Sequence, residues 1–355
     1  MKLDGLQHLD FVSEALPTSA PPFAGNAVTA DRIRGMLLGL AIGDALGNTT
    51  EGQIPERRRS ERGLITDYLE NKYADNRAVG LPSDDTQLAF WTIEALLEDE
   101  DLDATKLAAA FCGRHIYGIG HTVRQFTKSM ANGSPWWQAS QKSAGNGALM
   151  RIAPVILPYV ASPSPELWKR TALFAGVTHN DPANIACCVG FVKVLSELLV
   201  MAEPPQPSWC LDTFEETAFP VEGDTQYEPR GGALQGSYVG SLTKFAVEKS
   251  REALEKGLDA VQFGQQVFSG AYLMETMPMV LFILAKWGHN PKQALITAVN
   301  DTKDNDTVAA IVGAAVGALH GESGLPKHWR NNLLGRLGQD DDGRVQSLLG
   351  QYCDQ

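Results

Sequence analysis

The chain has 355 residues, of which 44% are hydrophobic and 20% charged, and its formal net charge is −12. This composition is typical of a soluble globular protein, and the absence of a Lys/Arg stripe argues against a partner made of nucleic acid. The five cysteines show no C-x-x-C spacing, so neither a disulfide framework nor a zinc site is expected. The N-terminal sequence does not resemble a signal peptide, and no apolar run reaches the roughly 18 residues of a membrane helix. We therefore expect a cytoplasmic protein that does not associate with a membrane.

Residues 1–28 are expected to form an N-terminal extended arm. A short amphipathic piece precedes PTSAPPFAGNAV, whose prolines and glycine favour extended backbone. A disordered terminus is the alternative, but the segment carries more apolar surface than a solvated tail needs. Its apolar side chains are Leu6, Leu9, Phe11, Val12, Leu16 and Phe23. Such side chains either pack on the body of the protein or bind a partner, and we favour the partner.

Helical periodicity dominates from about Thr29 onward, whereas strand alternation is scarce. Ile33, Met36, Leu37, Leu40 and Ala41 share one face of a first helix, and a second helix follows SDDTQ at residues 83–87. Further helices are predicted at residues 107–116, 166–175, 183–201, 238–256, 265–287 and 291–299. The pattern predicts one all-α domain over residues 29–355.

Three segments depart from this pattern. RRR at residues 57–59 is the only basic cluster, and we expect it to lie in a solvated loop. Residues 203–236, rich in proline and glycine, are expected to form a long loop or insertion. The tail after about Pro326 has mixed character.

Two predicted helices begin with paired acids followed by threonine, namely SDDT at residues 83–86 and DNDT at residues 304–307. Each start alone is typical of helix capping, because free N–H groups and the positive end of the helix dipole favour acids. If the two N-termini face each other, their carboxylates converge and raise one another's pKa. A hard cation such as Mg²⁺, Mn²⁺ or Ca²⁺ would relieve this repulsion, since it prefers oxygen ligands. Gly313 and Gly317, further along the second helix, are expected to allow tight helix packing.

Six motifs follow one another between Arg32 and about Leu319. They are RIRGMLLGLAIGDALG followed by Glu51, then SDDTQ, GNGALMR, THND, SGAYLMETMPMVLFIL and AVN…DNDTVAAIVGAAVGAL. Each motif is weak alone, but six in this order are specific. The chain thereby resembles the ADP-ribosylglycohydrolase family, the group that includes the dinitrogenase reductase-activating glycohydrolase.

The resemblance implies a compact, orthogonal multi-helix fold, all-α, with a binuclear centre of two Mg²⁺ or Mn²⁺ ions in a cleft. The implied metal ligands are Ser83, Asp84 and Asp85 in one set and Asp304, Asp306 and Thr307 in the other. The implied substrate-binding residues are Gly145, Asn146 and Gly147 at the ribose and diphosphate, His179 beside the cleft and Tyr272 stacked on the ADP-ribose. Glu51 matches a glutamate beside the scissile bond.

Several of these residues also have a purely structural interpretation. Asp44 in GDALG is expected to give structural support rather than to bind a ligand. His179 precedes a helix-start signal and could be an ordinary turn histidine, and Tyr272 could belong to the core. Met150 and Arg151 are expected to pack and pair beneath the GNG loop.

The sequence departs from the family pattern before the second acid pair. Thr302 and Lys303 stand where most members have two glycines, and Asn305 replaces a threonine. Glycine permits backbone angles and close approaches that threonine and lysine resist. The acids are retained, so metal binding is still expected, whereas the fit of the substrate in this loop stays open.

The implied reaction is hydrolysis that removes ADP-ribose from a modified protein side chain, most often arginine, with Asp85 or Glu51 as general base. Serine linkages and small-molecule adducts are alternatives. A second hypothesis is a non-catalytic immunity protein that blocks an ADP-ribosyltransferase toxin through residues 1–28, and both roles can coexist. A third is a pseudoenzyme, against which the retained acids argue.

Overall fold

The structure, a computed structural model, describes residues 5–23 and 28–353. Over these ranges the protein is helical apart from one small hairpin, which confirms the predicted all-α class. None of the described helices is sufficiently long and apolar to span a bilayer. The helices are α1 (Ala30–Gly47), α2 (Pro55–Arg62), α3 (Asp84–Glu98), α4 (Ala104–Ala110), α5 (His121–Ala131), α6 (Trp136–Ala139), α7 (Glu166–Gly176), α8 (Pro182–Leu198), α9 (Trp209–Glu222), α10 (Leu242–Glu255), α11 (Ala260–Val267), α12 (Leu273–Trp287), α13 (Pro291–Asp301), α14 (Asn305–Gly324), α15 (Lys327–Asn332) and α16 (Arg344–Cys353). The hairpin pairs β1 (Glu70–Asn71) with β2 (Arg77–Ala78) in antiparallel register.

Helices α1 and α14 run antiparallel and almost touch through their backbones. Glycines recur at every fourth residue of α1 and face small residues of α14, as expected for tight packing at Gly313 and Gly317. A Cβ atom added at Gly39 would lie 2.0 Å from the carbonyl oxygen of Gly313, and one added at Gly317 would lie 1.9 Å from that of Gly35. No side chain fits at such distances, so the glycines set the helix spacing. The same contact continues to Gly47, which meets the backbone of Asp306. The C-terminal end of α1 therefore lies beside the N-terminal end of α14.

Two of the predicted helices differ from the observed ones. The segment 265–287 is not one helix, because α11 ends at Val267 and α12 begins only at Leu273. Phe268 and Ser269 between them both adopt left-handed backbone, with φ of 75° and 48°. Neither residue is a glycine, so left-handed backbone is not expected at these two positions from their residue type. The helix predicted at 107–116 ends at Ala110 as α4, and the chain then turns at Gly113, whose φ is 76°.

The segment 203–236 is not a continuous loop, because it contains the 14-residue helix α9. Prolines before this helix, and Pro220 within it, hide its period in the sequence. α9 packs its apolar face on α8 and ends at Gly223, whose φ of 73° suits a glycine. The irregular part is therefore confined to the stretches on either side of α9.

RRR at residues 57–59 lies in helix α2 rather than in a solvated loop. Arg58 is fully buried, and its guanidinium donates to the carbonyl oxygens of Thr50, Asn300 and Thr302. A guanidinium has five donors and can satisfy several carbonyl groups at once, which explains how the charge is accommodated. Burial lowers the pKa of Arg58 to about 10.

The described part of the arm lies along the body of the protein. Leu16 and Phe23 are buried, while Leu6, Leu9 and Phe11 are partly buried against the core. Hydrogen bonds fix the arm at Val12, whose N–H donates to Val221, and at Ser19, which accepts from the indole of Trp168. Most of its apolar surface is thus covered by the body, which removes the reason for expecting that these side chains need a partner. The part of the arm at residues 1–4 and 24–27 lies outside the described residues.

Candidate active site

The structure brings the two acid-led helix starts together, as the sequence predicts. Helix α3 begins at Asp84 and α14 at Asn305, and their acids meet beside the end of α1. Two groups of carboxylates have oxygens within 4.8 Å of one another. They are Asp44, Asp85 and Asp306 in the first group and Glu51, Asp304 and Asp306 in the second. Asp306 belongs to both groups and joins them into one cluster.

Asp44 is already saturated by hydrogen bonds. It accepts from the backbone N–H and the hydroxyl of both Ser83 and Thr86, at 2.5 to 3.1 Å, and from the side chain of Asn48 at 3.0 Å. Ser83 precedes α3 but does not cap it with its own side chain, so Asp44 supplies the cap from another helix. This geometry supports the structural interpretation of Asp44.

Asp85 is in the opposite situation. Its side chain is buried, and its Oδ1 atom has no hydrogen-bond partner in the described part of the chain. Burial first, and then the charges of Asp44 and Asp84, raise its pKa well above the usual value. A buried carboxylate oxygen without a donor is costly, and a cation would satisfy it. The residues present therefore fit a hard divalent cation.

Burial and nearby negative charge also raise the pKa values of the neighbouring acids. Burial raises the pKa of Asp84 to about 8, with a further contribution from Asp44. The pKa of Glu51 rises to about 7 because the cleft desolvates it and Asp304 lies close by. Burial also raises the pKa of Asp306, assisted by Glu51 and Asp304. Without a cation, the cluster can exist only with some of its carboxyls protonated.

A cavity of about 890 Å³ opens over this cluster. It is lined by every predicted site residue except Ser83: Glu51, Asp84, Asp85, Gly145, Asn146, Gly147, His179, Tyr272, Asp304, Asp306 and Thr307. Ser83 lines an adjoining cavity of about 1170 Å³, and Glu51 and Gly118 line both. Glu51 thus lies in the wall between two cavities.

The GNG loop at residues 145–147 is held inside the cavity by its own polar groups. The backbone N–H of Asn146 donates to Ala271, and that of Gly145 to the hydroxyl of Ser143. The Asn146 side chain donates to Asp304 at 2.6 Å and to Thr276 at 2.9 Å. Asn146 is therefore placed to orient Asp304, and two of the three backbone amides of the loop are already used within the protein.

His179 lies beneath the loop and is buried. Its Nδ1 atom is 2.8 Å from the hydroxyl of Thr178, which also accepts from Arg151 at 2.8 Å. We assign the hydroxyl proton of Thr178 to Nδ1, which leaves the ring proton on Nε2. Burial lowers the pKa of His179 to about 3, so the ring is neutral. A Cβ atom at Gly147 would lie 2.9 Å from this ring, which explains the glycine.

Arg151 lies below the loop as expected, whereas Met150 lines the cavity. Tyr272 is buried, but it does not pack only within the core. It lines the cavity, and the guanidinium of Arg230 lies 4.0 Å above its ring centroid. Arg230 could not be identified from the sequence, because it follows a proline in the irregular segment after α9, where no periodicity or family motif marks it.

The three departures from the family pattern do not line the cavity. Thr302 has extended backbone, with φ of −121°, so a glycine is not needed there. The ammonium group of Lys303 lies 3.8 Å above the ring of Phe268. Asn305 is buried and donates to Gly47, Thr50 and Val299. Asn305 and Lys303 therefore connect the acid-bearing loop to neighbouring elements rather than to the cavity.

The fold and the site define an all-helical protein with a cleft whose floor is a buried, oxygen-only cluster suited to a hard cation. The profile of one family, ADP-ribosylglycohydrolase, matches residues 26–353. The chain belongs to the ADP-ribosylglycohydrolase family, which confirms the resemblance and makes it a glycosyl hydrolase that acts on ADP-ribose.

Three named relatives match most of the chain. ADP-ribosylarginine hydrolase Tri1 of Pseudomonas putida is 28% identical, over 84% of this chain and 73% of its own length. The ADP-ribosyl-[dinitrogen reductase] glycohydrolase of Rhodospirillum rubrum is 26% identical, over 90% of this chain and 96% of its own. ADP-ribosylhydrolase ARH3 of Xenopus tropicalis is 24% identical, over 92% and 97%.

A solved structure described as an ADP-ribosylglycohydrolase-related protein complex has the same fold. It superposes with a TM-score of 0.64 at 24% identity, covering 92% of this chain and 98% of its own.

Proposed function

We propose that this protein hydrolyses the bond between ADP-ribose and an arginine side chain of a modified protein. The observation that carries the proposal is the position of Glu51, beside the acid cluster and in the wall between two cavities. ADP-ribose would occupy the cavity with the GNG loop, and the target chain would enter through the adjoining one. The arginine linkage is supported by the name of the Pseudomonas putida relative.

We propose a site for two Mg²⁺ or Mn²⁺ ions on Ser83, Asp84 and Asp85 and on Asp304, Asp306 and Thr307. Such ions, when bound, stabilise negative charge and lower the pKa of water. Asp306 would contribute to both sites because it belongs to both carboxylate groups. Asn146 would hold Asp304 in place, and Asp44 would hold the start of α3.

In the hydrolytic step, the oxygen of a water molecule forms a bond to C1″ while the bond from C1″ to the guanidino nitrogen breaks. Glu51 accepts the proton that the water loses, the electron pair of the broken bond stays on the guanidino nitrogen, and Glu51 then returns the proton to that nitrogen. The carboxylate of Glu51 suits this role because it lines the cavity beside the acid cluster and can both accept and return a proton. Asp85 is the alternative base. The neutral His179 would donate its Nε2–H to a substrate oxygen.

The linkage is tested by measuring release of ADP-ribose from two substrates, one modified on arginine and one on serine. Wild type should release it from the arginine adduct at least about tenfold faster. Glu51→Gln should lower kcat on that substrate by about 10²- to 10⁴-fold while its melting temperature stays unchanged. Faster release from serine would contradict the arginine assignment, and unchanged kcat in Glu51→Gln would transfer the base to Asp85.

A second candidate role is binding of an ADP-ribosyltransferase toxin through residues 1–28. The observation that favours it is the position of the arm next to the cleft. Asn180, which follows His179, donates to the carbonyl oxygen of His8 and accepts from the N–H of Asp10. A toxin bound to the exposed side of this arm would lie beside the cleft entrance. Loss of toxin binding on deletion of residues 1–28, with turnover retained, would support it, and undiminished binding would contradict it.

A further inference from the structure

Arg230 is a cation in a cavity whose charged floor is acidic. It lies between α9 and α10, in a segment that no family motif covers, and it lines the same cavity as Asp304 and Tyr272. Its side chain is exposed, and in the described part of the chain no carboxylate pairs with it. Its guanidinium lies 4.0 Å from the centroid of the Tyr272 ring.

The backbone on both sides of Arg230 is fixed to the body of the protein. Before it, Tyr227 pairs with Gly240 through two backbone hydrogen bonds, and its hydroxyl donates to Asp181 at 2.8 Å. After it, the N–H groups of Ala233 and Leu234 donate to carbonyl groups near the end of α11. The arginine is therefore held at the cavity by a loop fixed on both sides and by its own stacking on Tyr272, and none of the residues that the structure describes accepts a hydrogen bond from its guanidinium.

A chain of contacts links the acid cluster to Arg230 along the cavity wall. The Asn146 side chain donates to Asp304, Gly145 forms a backbone bridge with Tyr272, and the guanidinium of Arg230 lies over the Tyr272 ring. Along this wall, the backbone amides of Gly145 and Asn146 are already used inside the protein. Arg230 is the one Lys or Arg among the described residues that line this cavity, so a ligand with an anionic centre would meet its positive charge there.

We propose that Arg230 is a substrate-binding residue that pairs with the diphosphate of ADP-ribose. This inference rests on the proposed function, because it places the ribose at the acids and the diphosphate beside Tyr272. A guanidinium suits a phosphate because its planar fork donates two parallel charge-assisted hydrogen bonds. The proposal also implies that Arg230 covers one face of the Tyr272 ring, so the adenine would stack on the guanidinium or on another cavity residue rather than on that face.

The test compares wild type with Arg230→Gln and Arg230→Lys, all with saturating Mg²⁺. Calorimetry measures binding of ADP-ribose and of adenosine, which lacks phosphate. We expect Arg230→Gln to weaken ADP-ribose binding by about 10- to 100-fold, the range for a lost charged hydrogen bond. The ADP-ribose affinity of Arg230→Lys should lie between those of wild type and Arg230→Gln, since lysine keeps the charge but not the planar fork. Adenosine binding should not change in either variant. KM for the modified protein should rise with little change in kcat.

Arg251→Gln is the matched control. It removes the same charge from α10, where Arg251 pairs with Asp212 and Glu215 and does not line the cavity. Its ADP-ribose affinity should equal that of wild type, and the melting temperatures of the Arg230 variants should stay within a degree or so of wild type.

The outcomes separate this inference from the proposed function. Equal affinity of wild type and Arg230→Gln for ADP-ribose would overturn the inference and leave the proposed function standing. Equal ADP-ribose affinities together with a raised KM for the modified protein would show that Arg230 binds an acidic group of the target protein. That result would also overturn the pairing with the diphosphate. Failure of wild type to bind ADP-ribose would overturn both.

Discussion

Single residues of the acid cluster differ in how their oxygens are used. Asp44 gives its oxygens to the start of α3, whereas Asp85 keeps one buried oxygen without a donor. The first carboxylate is therefore a part of the scaffold, and the second is available to a cation. Both lie in the same group of three acids, so distance alone would not separate their roles.

Asp44→Asn should destabilise the fold. The amide would point N–H groups at the donors of Ser83 and Thr86, which leaves buried donors without an acceptor. We expect a loss of about 2–4 kcal/mol, since several charged hydrogen bonds are affected. Thermal unfolding with and without Mg²⁺ measures it. Asp306→Asn is the comparison, because it relieves repulsion and should not lower the melting temperature of the metal-free protein. A stable Asp44→Asn variant would contradict the capping role.

At the scale of helices, the contact between α1 and α14 positions the site. The two helices approach so closely that Gly47 meets the backbone of Asp306, and the Glu51 loop then follows directly. Arg58 binds that loop to the end of α13 by donating to Thr50 and Thr302. The spacing of these elements therefore sets the separation of the carboxylates.

Gly313→Ala should disturb this spacing. The added Cβ would lie 2.0 Å from the carbonyl oxygen of Gly39, where no flexible side chain can move away. Overpacking of this kind costs about 1–3 kcal/mol, which should lower the melting temperature by about 1–4 °C and reduce metal affinity. Gly120→Ala is the control for the melting temperature alone: its φ of −67° is ordinary and no described atom lies near its Cβ position, but it lines the cavity. Equal melting temperatures for the two variants would show that the helices can separate without cost.

Sequence analysis located the acid-led helix starts because their composition and order are specific, and the structure brings them together. It could not find Arg230 or the buried Arg58, since their roles depend on which distant carbonyl groups or rings they meet. It also missed α9, whose prolines obscure the helical period, and the break at Phe268, where a non-glycine residue adopts left-handed backbone. Local pattern was sufficient for the class of the fold, but long-range contacts decide the details of the site.

At the scale of the whole molecule, the acid cluster should couple stability to pH. The folded-state pKa of Asp84 is about 8 and that of Glu51 about 7, both above their ordinary values. Between about pH 6.5 and 8.5 the metal-free folded protein therefore binds more protons than the unfolded chain, so its stability falls as pH rises. His179 acts in the opposite sense, because its pKa is lowered from 6.5 to about 3, and it offsets part of this fall at the lower end of the window.

The prediction is that, in chelator, the melting temperature falls between pH 6.5 and 8.5. Saturating Mg²⁺ should raise the melting temperature more at pH 8.5 than at pH 6.5, because deprotonated carboxylates bind it better. Differential scanning calorimetry at both pH values measures this. A melting temperature in chelator that rises with pH would contradict the cluster's proposed charge state.

The arm should contribute to the stability of the whole domain. Burial of Leu16 and Phe23 stabilises the fold by about 1.5–3 kcal/mol each, so deletion of residues 1–28 should lower the melting temperature by about 5 °C or more. Phe23→Ala in the full chain should reproduce part of the loss, whereas Val12→Ala, at an exposed position, should not. An unchanged melting temperature after the deletion would instead favour an arm held for a partner.

The most direct measurement is turnover of an arginine-modified protein against the amount of metal bound to the enzyme. Mn²⁺ is titrated into chelator-treated wild type and Asp306→Asn, and ADP-ribose release and bound metal are measured in the same samples. Wild type should be inactive without metal and should gain activity in proportion to occupancy, whereas Asp306→Asn should bind less metal and release no ADP-ribose while remaining folded. Full turnover by wild type in excess chelator, or by Asp306→Asn, would contradict the assignment of the acid cluster as a catalytic metal centre.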